Sequence, residues 1–324
     1  MVVKNPFPVK EAPMSAVPTE PVGTIEPQPA IVRVNIPFVS RSTSFIPGHT
    51  LTGDRAARTL YLDALEQEAR AVAPDAASLA VAAFRLDGPM PSVLSPDHLG
   101  RLTKTLHQAF SCTPSCTTTL VATPQTVGTA SLTGWTQGAI NRVELLVDSL
   151  EPEELDRLER PFNVNDIQNA LLFLDKFHIG NVGVRLIVGT PGQQTPALLR
   201  GLRSLAGVGV SHFTLAPYSH ACLGRTEGTA LEEENVAAAR GRLREYGYLE
   251  YLPGLFAHEE RFRDTFAVLQ ARQCPEIGLG IDARSCFGGL SYVNTDDYTT
   301  YVSFPDDPSK TVVAVETVES CPAG

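Results

Sequence analysis

The chain has 324 residues, 43% of them hydrophobic and 19% charged, which is typical of a folded protein with a sizeable core. Its 36 acidic and 26 basic residues give a net charge of -10, which argues against nucleic acid, a partner that needs clustered lysine and arginine. No apolar run is long enough to span a membrane and no secretory signal opens the sequence, so we expect a cytoplasmic protein without a membrane span.

The N-terminal segment, residues 1–30, is rich in proline and is predicted to lie extended along the surface. Strand and helix patterns then alternate. The predicted strands are Ile31–Ile36, Leu79–Phe84, Leu120–Ala122, Arg142–Val147, Val182–Val188 and His212–Pro217. The predicted helices are 54–72, 96–110 with Ser95 as its cap, 165–178 with Gly180 as a left-handed cap, and 197–205.

This alternation implies right-handed crossovers and an α/β fold, a partial (β/α)6 barrel with a parallel sheet and helices outside. We assign residues 31–230 to this barrel and residues 231–324 to a C-terminal extension packing on it. Valines in the tail, from Val312 to Val318, are expected to add an edge strand. Any ligand site is expected at the carboxyl ends of the strands, where loops and helix N-termini converge.

The first predicted strand leads into a long loop that is rich in Ser, Thr, Arg and Pro. The whole stretch from Ile31 to Pro47 resembles the corresponding part of a known family. Ile36-Pro37-Phe38, Ser42, Ser44 and Phe45 are similar to the opening of the radical S-adenosylmethionine (SAM) enzymes of the oxygen-independent coproporphyrinogen III oxidase and heme chaperone family. In that family the strand leads into Cys-x-x-x-Cys-x-x-Cys. Here the three cysteine positions are Val39, Thr43 and Ile46, and none of these side chains can act as a thiolate ligand of a [4Fe-4S] cluster.

The resemblance extends from Ile31 to Tyr301 through turn and framework residues. They include Leu94-Ser95-Pro96, Asn141-Arg142-Val143, the turn 189–193, Gly278-Leu279-Gly280, Asn294 and Tyr301. The family usually continues into a helical domain after the last of these, and we expect that domain to be missing.

The positions that the resemblance assigns to SAM have changed. A glycine-rich turn of the family is replaced by Asp87-Gly88-Pro89, in which proline removes an N–H donor. The other altered positions of the cofactor pocket are Arg33, Asn35, Val121, Thr123, Asp148 and Arg185. The resemblance therefore implies a protein with neither an iron-sulfur cluster nor SAM, and we expect no other metal site.

Two interpretations of the arginines remain open. Arg33, Arg85 and Arg185 either form ion pairs with Asp87 and Asp148 that plug the vacated pocket, or they bind propionates or a phosphate.

Two histidines near the sixth strand, His212 and His220, are candidate contacts for heme or porphyrin, although a structural role is the simpler interpretation. The aligned stretch Thr265-Phe266 lacks the His-Asn pair of the heme chaperones, which weakens the argument for heme.

The remaining signals are weak. The turn from Gly189 to Gln193 leads into a helix N-terminus, which is able to bind an anion. The six cysteines are expected to be reduced. Cys112 and Cys116 have the spacing of the first two ligands of the cluster motif, but Thr119 occupies the third ligand position. We therefore interpret them as ordinary thiols.

Our leading hypothesis is a pseudoenzyme that acts as a binding or scaffolding subunit for a related enzyme or through a homodimer. One alternative is a tetrapyrrole or small-anion binding protein. Another is an enzyme with cluster-independent chemistry, for which Asp87 and Asp148 are the candidate acid and base.

Overall fold

A twelve-stranded sheet, in the order β12-β11-β10-β9-β1-β2-β3-β4-β5-β6-β8-β7, organises the protein. The computed structural model describes residues 27–39, 50–223 and 228–318. The strands are β1 Gln28–Asn35, β2 Leu79–Asp87, β3 Cys112–Ala122, β4 Arg142–Asp148, β5 Val182–Val188, β6 His212–Pro217, β7 Leu249–Leu252, β8 Leu255–Ala257, β9 Glu276–Leu279, β10 Arg284–Phe287, β11 Leu290–Asn294 and β12 Val312–Thr317.

The four predicted helices are present, and the helix Ala230–Glu245 and several short helices were not predicted. They are α1 Arg55–Val72, α2 Pro96–Ala109, α3 Thr129–Gln137, α4 Pro152–Arg157, α5 Val164–Lys176, α6 Thr195–Gly207, α7 Tyr218–Leu223, α8 Ala230–Glu245, α9 Thr265–Ala271, α10 Tyr298–Ser303 and α11 Pro308–Thr311. Local chemistry sets the starts of α1 and α2: the Asp54 carboxylate accepts a hydrogen bond from the Ala57 N–H, and the Ser95 hydroxyl accepts one from His98.

Strands β1 to β6 are parallel and lie side by side in chain order, which confirms the predicted α/β fold with a parallel sheet. In the described part of the chain β1 pairs on its outer side with β9, and β6 pairs with β8, so the sheet forms an open arc. Because all six parallel strands run the same way, their carboxyl ends meet at one edge of the sheet.

The strands that follow residue 230 extend this same sheet. Strand β9 is parallel to β1, and β10, β11 and β12 continue from it as an antiparallel meander. The predicted edge strand at Val312 is confirmed as β12. The division at residue 230 falls at the start of α8 and stays a prediction, and residues 1–26 of the proposed N-terminal segment lie outside the described residues.

Two expectations from the sequence are wrong. The left-handed residue after α5 is His178, with a φ of 55°, and Gly180 has no positive φ, because the chain turns immediately at the helix end. Not all cysteines are reduced, since Cys286 is disulfide-bonded. The four cysteines Cys112, Cys116, Cys222 and Cys274 are free thiols.

The hydrophobic core lies between the sheet and the helices and includes the single tryptophan, Trp135, on α3. The core residues of β1, β2 and β4 are the aliphatic and aromatic side chains that face inward, as expected for parallel strands covered by helices. Among the described residues, no helix combines the length and the apolar character that crossing a membrane requires.

Candidate functional site

A cavity of about 410 Å³ lies at the carboxyl edge of the parallel strands. Asn35, Asp87 and Asp148 reach it from the ends of β1, β2 and β4, and Asp282, Ala283 and Arg284 reach it from the start of β10. Its other lining residues are Arg33, Gly88, Pro89, Met90, Thr123, Leu146, Arg160, Pro161, Phe162, Arg185 and Ala221. Eight of the nine positions that the resemblance assigns to the cofactor pocket line this cavity, and the ninth is Val121. The site lies where barrel folds place ligands.

Ion pairs form the wall of the cavity at β1 and β2. The Arg33 guanidinium contacts Asp87 at 2.7 Å and Glu276 at 2.8 Å, and Arg85 contacts Asp87 at 3.1 Å. Burial opposes ionisation of Asp87, but Arg85 and Arg33 outweigh this effect and lower its pKa to about 2. The ion pairs of the first interpretation are therefore present at Arg33 and Arg85.

Arg85 also binds two carboxylates that the sequence analysis did not identify. Its other nitrogens contact Glu144 at 2.7 Å and Asp264 at 3.2 Å, and only 15% of its side chain is exposed. Arg85 therefore serves as the hub of a buried cluster and does not line the cavity. A charged residue in the middle of a fully buried strand, as Glu144 is in β4, was the sequence signal for this partner.

A second group of charges lies at β4 and β5. The buried Asp148 carboxylate contacts Arg160 at 2.6 Å and Arg185 at 3.0 Å. Burial raises the pKa of Asp148, but the two guanidinium groups outweigh this and leave it below its ordinary value. Two arginines share one carboxylate, so this part of the wall has an excess of one positive charge.

Arg284 adds another positive charge to the wall. Its side chain is exposed, and within the described residues it has no ion pair; its Nε donates to the Ser291 hydroxyl at 3.3 Å. The sequence analysis did not select it, although it closely follows the matched Gly278-Leu279-Gly280 turn. The cavity thus keeps unneutralised cationic groups even though most of its charges are paired.

The turn that replaces the glycine-rich SAM turn has no free backbone donor at Gly88 or Pro89. The Gly88 N–H donates to Asp87 Oδ1 at 2.9 Å, and Pro89 has no N–H. Gly88 has a φ of 121°, and a Cβ there would lie 2.3 Å from the Ile36 carbonyl oxygen, so this tight turn requires glycine.

The positions aligned with the cluster ligands are unsuited to iron. Val39 is buried, and its N–H donates to the Leu51 carbonyl at 3.0 Å. Thr43 and Ile46 lie outside the described residues. No cysteine or histidine is among the described residues that line the cavity, and no group of three or more metal-ligating side chains occurs in the described ranges. The charged side chains among the described lining residues are arginines and aspartates, which do not fit a thiolate-bound cluster.

The other sequence candidates lie elsewhere. Val121 is buried in β3 and does not reach the cavity. His212 is buried at the start of β6, at the opposite end of the strand from the cavity, and hydrogen-bonds to the Tyr251 hydroxyl at 2.7 Å. Burial, and then the neighbouring Arg142, hold the pKa of His212 well below its usual value, so the ring is neutral. His220 is exposed on α7 and is not a lining residue.

In the turn from Gly189 to Gln193, a backbone N–H and a side-chain amide donate hydrogen bonds to other protein groups. The Gly189 N–H donates to Gln193 Oε1 at 2.8 Å, and the Gln193 amide donates to Glu154 Oε2 at 3.0 Å. A Cβ at Gly189 would lie 2.5 Å from Glu232, so α8 packs directly against the turn. The Gly189 N–H and the space beside Gly189 are therefore not available to an anion.

The fold is that of a radical SAM enzyme. The structure superimposes on coproporphyrinogen III oxidase from Escherichia coli, a radical SAM enzyme, with a TM-score of 0.75 and 20% identity over 90% of this chain and 72% of that one. The resemblance seen in the sequence is thereby confirmed for the fold. No family model matches the chain.

The chain is also similar to one curated protein. The mitochondrial radical S-adenosyl methionine domain-containing protein 1 of Bos taurus is 27% identical over 210 residues, which are 61% of this chain and 47% of that protein. The chain therefore spans about half the length of the curated relative that it matches.

Proposed function

We propose that this protein is a catalytically inactive relative of the radical SAM enzymes, a pseudoenzyme whose barrel acts as a binding or scaffolding subunit. The observation that carries the proposal is a contrast within one site. A cavity of about 410 Å³ persists, but its described lining residues include no cysteine, and Gly88 and Pro89 offer no free backbone donor. The pairing of Arg33, Arg85 and Asp87 fixes this altered wall. The proposed partner is a related enzyme or a second copy of the chain.

Reconstitution tests the loss of radical chemistry. The purified protein is incubated anaerobically with iron, sulfide and reductant, desalted, and assayed for bound iron and for cleavage of SAM. We expect neither stoichiometric iron nor SAM cleavage, because Val39 and its two companion positions supply no thiolate. Four irons per chain together with SAM cleavage would contradict the proposal.

A gain-of-ligand variant is the matched control. Restoring the motif with Val39→Cys, Thr43→Cys and Ile46→Cys in one chain supplies three thiolates at the family spacing. We expect this variant to bind an iron-sulfur cluster under the conditions in which the natural chain binds none. This comparison shows that the reconstitution itself is effective and that the missing thiolates are the cause.

A small-anion binding function is the second candidate, and the unneutralised arginines favour it. Arg160 and Arg185 share Asp148, and Arg284 has no ion pair in the described part of the chain, so carboxylate or phosphate groups would find guanidinium donors in the cavity. Tetrapyrrole propionates have the same chemistry. No histidine lines the described cavity to bind heme iron, so coproporphyrin is a better probe than heme.

Calorimetry with phosphate and coproporphyrin, beside SAM, tests this candidate. We expect Arg284→Ala to weaken binding of the anion at least fivefold without changing the melting temperature, because this side chain is exposed and unpaired among the described residues. An anion that binds Arg284→Ala as well as the natural protein would rule out this site. The lowered pKa of Asp87 and of Asp148 makes both poor general acids at neutral pH, which disfavours new acid–base chemistry.

A further inference from the structure

A pair of cysteines lies at the opposite end of β3 from the cavity. Cys112 begins the strand and Cys116 follows four residues later, whereas Thr123, just after the strand, lines the cavity. In a regular strand, residues four apart are separated by about 13 Å. Two sulfurs at this spacing would not meet without a local irregularity.

Strand β3 contains such an irregularity. Cys112 pairs with Val81 of β2, and Thr117 pairs with Ala83, so five steps along β3 match two steps along β2. The extra residues, which include the exposed Pro114, loop out of the sheet as a bulge. Because two steps along β2 span only about 7 Å, the bulge brings Cys116 close to Cys112, and both cysteines are only partly buried.

A histidine completes the group. His107, in the last turn of α2, has its Nδ1 3.7 Å from Cys112 Sγ, and its Nε2 is 2.9 Å from the Thr118 hydroxyl. The Phe84 ring packs against the imidazole, and the two ring centroids are 4.9 Å apart. Thr118 and Phe84 thus fix the ring with one nitrogen facing the thiol.

We propose that Cys112 and Cys116 form a dithiol site that exchanges with low-molecular-weight disulfides, with Cys112 as the attacking thiolate, Cys116 as the resolving thiol and His107 as a positioning residue. The inference is independent of the cavity and of the proposed pseudoenzyme function. The electrostatics agree with these roles: the hydrogen bond from Cys116 and, against the effect of burial, the nearby His107 lower the pKa of Cys112 to about 5. The pKa of Cys116 is raised, first by its hydrogen bond to Cys112 and then by burial, so this thiol keeps its proton until the second step.

The exchange balances in two steps. The Cys112 thiolate attacks one sulfur of the small disulfide, a mixed disulfide forms, and the first small thiolate leaves. Cys116 then gives up its proton and attacks the Cys112 sulfur, which releases the second small thiolate. Two electrons pass from the two cysteines to the disulfide, and the products are a Cys112–Cys116 disulfide and two small thiols.

Alkylation of the natural protein provides the first test and needs no variant. At pH 6, iodoacetamide should modify Cys112 on the order of ten times faster than Cys274, because the larger thiolate fraction of Cys112 outweighs its lower intrinsic nucleophilicity. Burial raises the pKa of the Cys274 thiol, which makes it a suitable internal reference. Equal rates at the two cysteines would overturn the proposal.

Oxidised glutathione provides the second test. The natural protein should lose two hydrogens and retain no glutathione, with the new bond mapped to Cys112 and Cys116 by peptide mass spectrometry. Cys116→Ser should retain one glutathione on Cys112, whereas Cys274→Ser should behave as the natural protein does. His107→Gln should shift the pH profile of Cys112 alkylation upward, a change that a merely structural histidine would not cause. A stable glutathione adduct on Cys112 of the natural protein would show that Cys116 does not resolve it.

Discussion

The Tyr301 hydroxyl donates a 2.5 Å hydrogen bond to Glu68, a carboxylate on α1 that lies 233 residues earlier in the chain. Glu68 also accepts hydrogen bonds from the Asn294 amide at 2.6 Å and from the Gly280 N–H at 2.8 Å. All three donors belong to the last part of the sheet and its following helix, so a single buried carboxylate ties α1 to the C-terminal strands.

This carboxylate predicts a pH dependence of stability. Burial raises the pKa of Glu68 from 4.5 to about 7, although its three hydrogen bonds oppose the shift. A carboxyl group whose pKa is higher in the folded state contributes stability that is full below pH 4.5 and is lost as the pH rises through about 7. The corresponding change in the free energy of unfolding is about 3 kcal/mol.

Urea unfolding at several pH values, followed by Trp135 fluorescence, measures this effect. We expect Glu68→Gln to remove that part of the pH dependence between pH 5 and pH 8, since an amide does not titrate. Glu245→Gln, at an exposed position on α8, should leave the dependence as it is. If Glu68→Gln and the natural chain show the same slope, Glu68 is not the titrating group.

The charge cluster under the cavity makes a contrasting prediction for two arginines. Arg85→Met should lower the free energy of unfolding by about 3 kcal/mol or more, because Glu144 and Asp264 lose their partner while remaining buried. Arg284→Met should change stability by less than about 0.5 kcal/mol, since that side chain is exposed. Thermal unfolding of the two variants distinguishes a structural arginine from one available to a ligand.

Asp87 should contribute to the loss of stability on the acid side of the pH profile. Its pKa of about 2 lies below the ordinary 3.8, so the stability it provides is present above pH 3.8 and is lost as the pH falls through about 2. Asp87→Asn should therefore cost about 2 kcal/mol at pH 7, and the difference from the natural chain should shrink as the pH falls from 4 towards 2. A constant difference across this range would show that the aspartate acts through packing alone.

Gly88 should tolerate no side chain. Gly88→Ala places a Cβ against the Ile36 carbonyl and forces alanine into a conformation with φ of 121°, so we expect a loss of about 2 kcal/mol or more. Gly180→Ala is the matched control, because a Cβ at that position meets nothing within 4 Å and should cost less than about 1 kcal/mol. Equal losses in the two variants would show that the turn at Gly88 relaxes.

Local interactions determine some elements of this fold, and contacts between distant segments determine others. The β–α units and the caps at Asp54 and Ser95 follow from periodicity and side-chain chemistry within a few residues, and they were predictable. The short strands β7 to β11 were not predicted, because three to five residues carry too little pattern and their antiparallel partners define them.

The sequence by itself determined the class of fold and the absence of cysteine from the aligned cluster positions, because those depend on residue types and their order. It also suggested that Arg33, Arg85 and Arg185 would pair with Asp87 and Asp148. Only the tertiary structure showed that a cavity remains beside these pairs, that Asp264 comes from 179 residues away to contact Arg85, and that a bulge in β3 brings Cys116 close to Cys112. The physical reason is that cavities, buried charge partners and strand register depend on contacts between segments distant in the chain, which local sequence patterns do not encode.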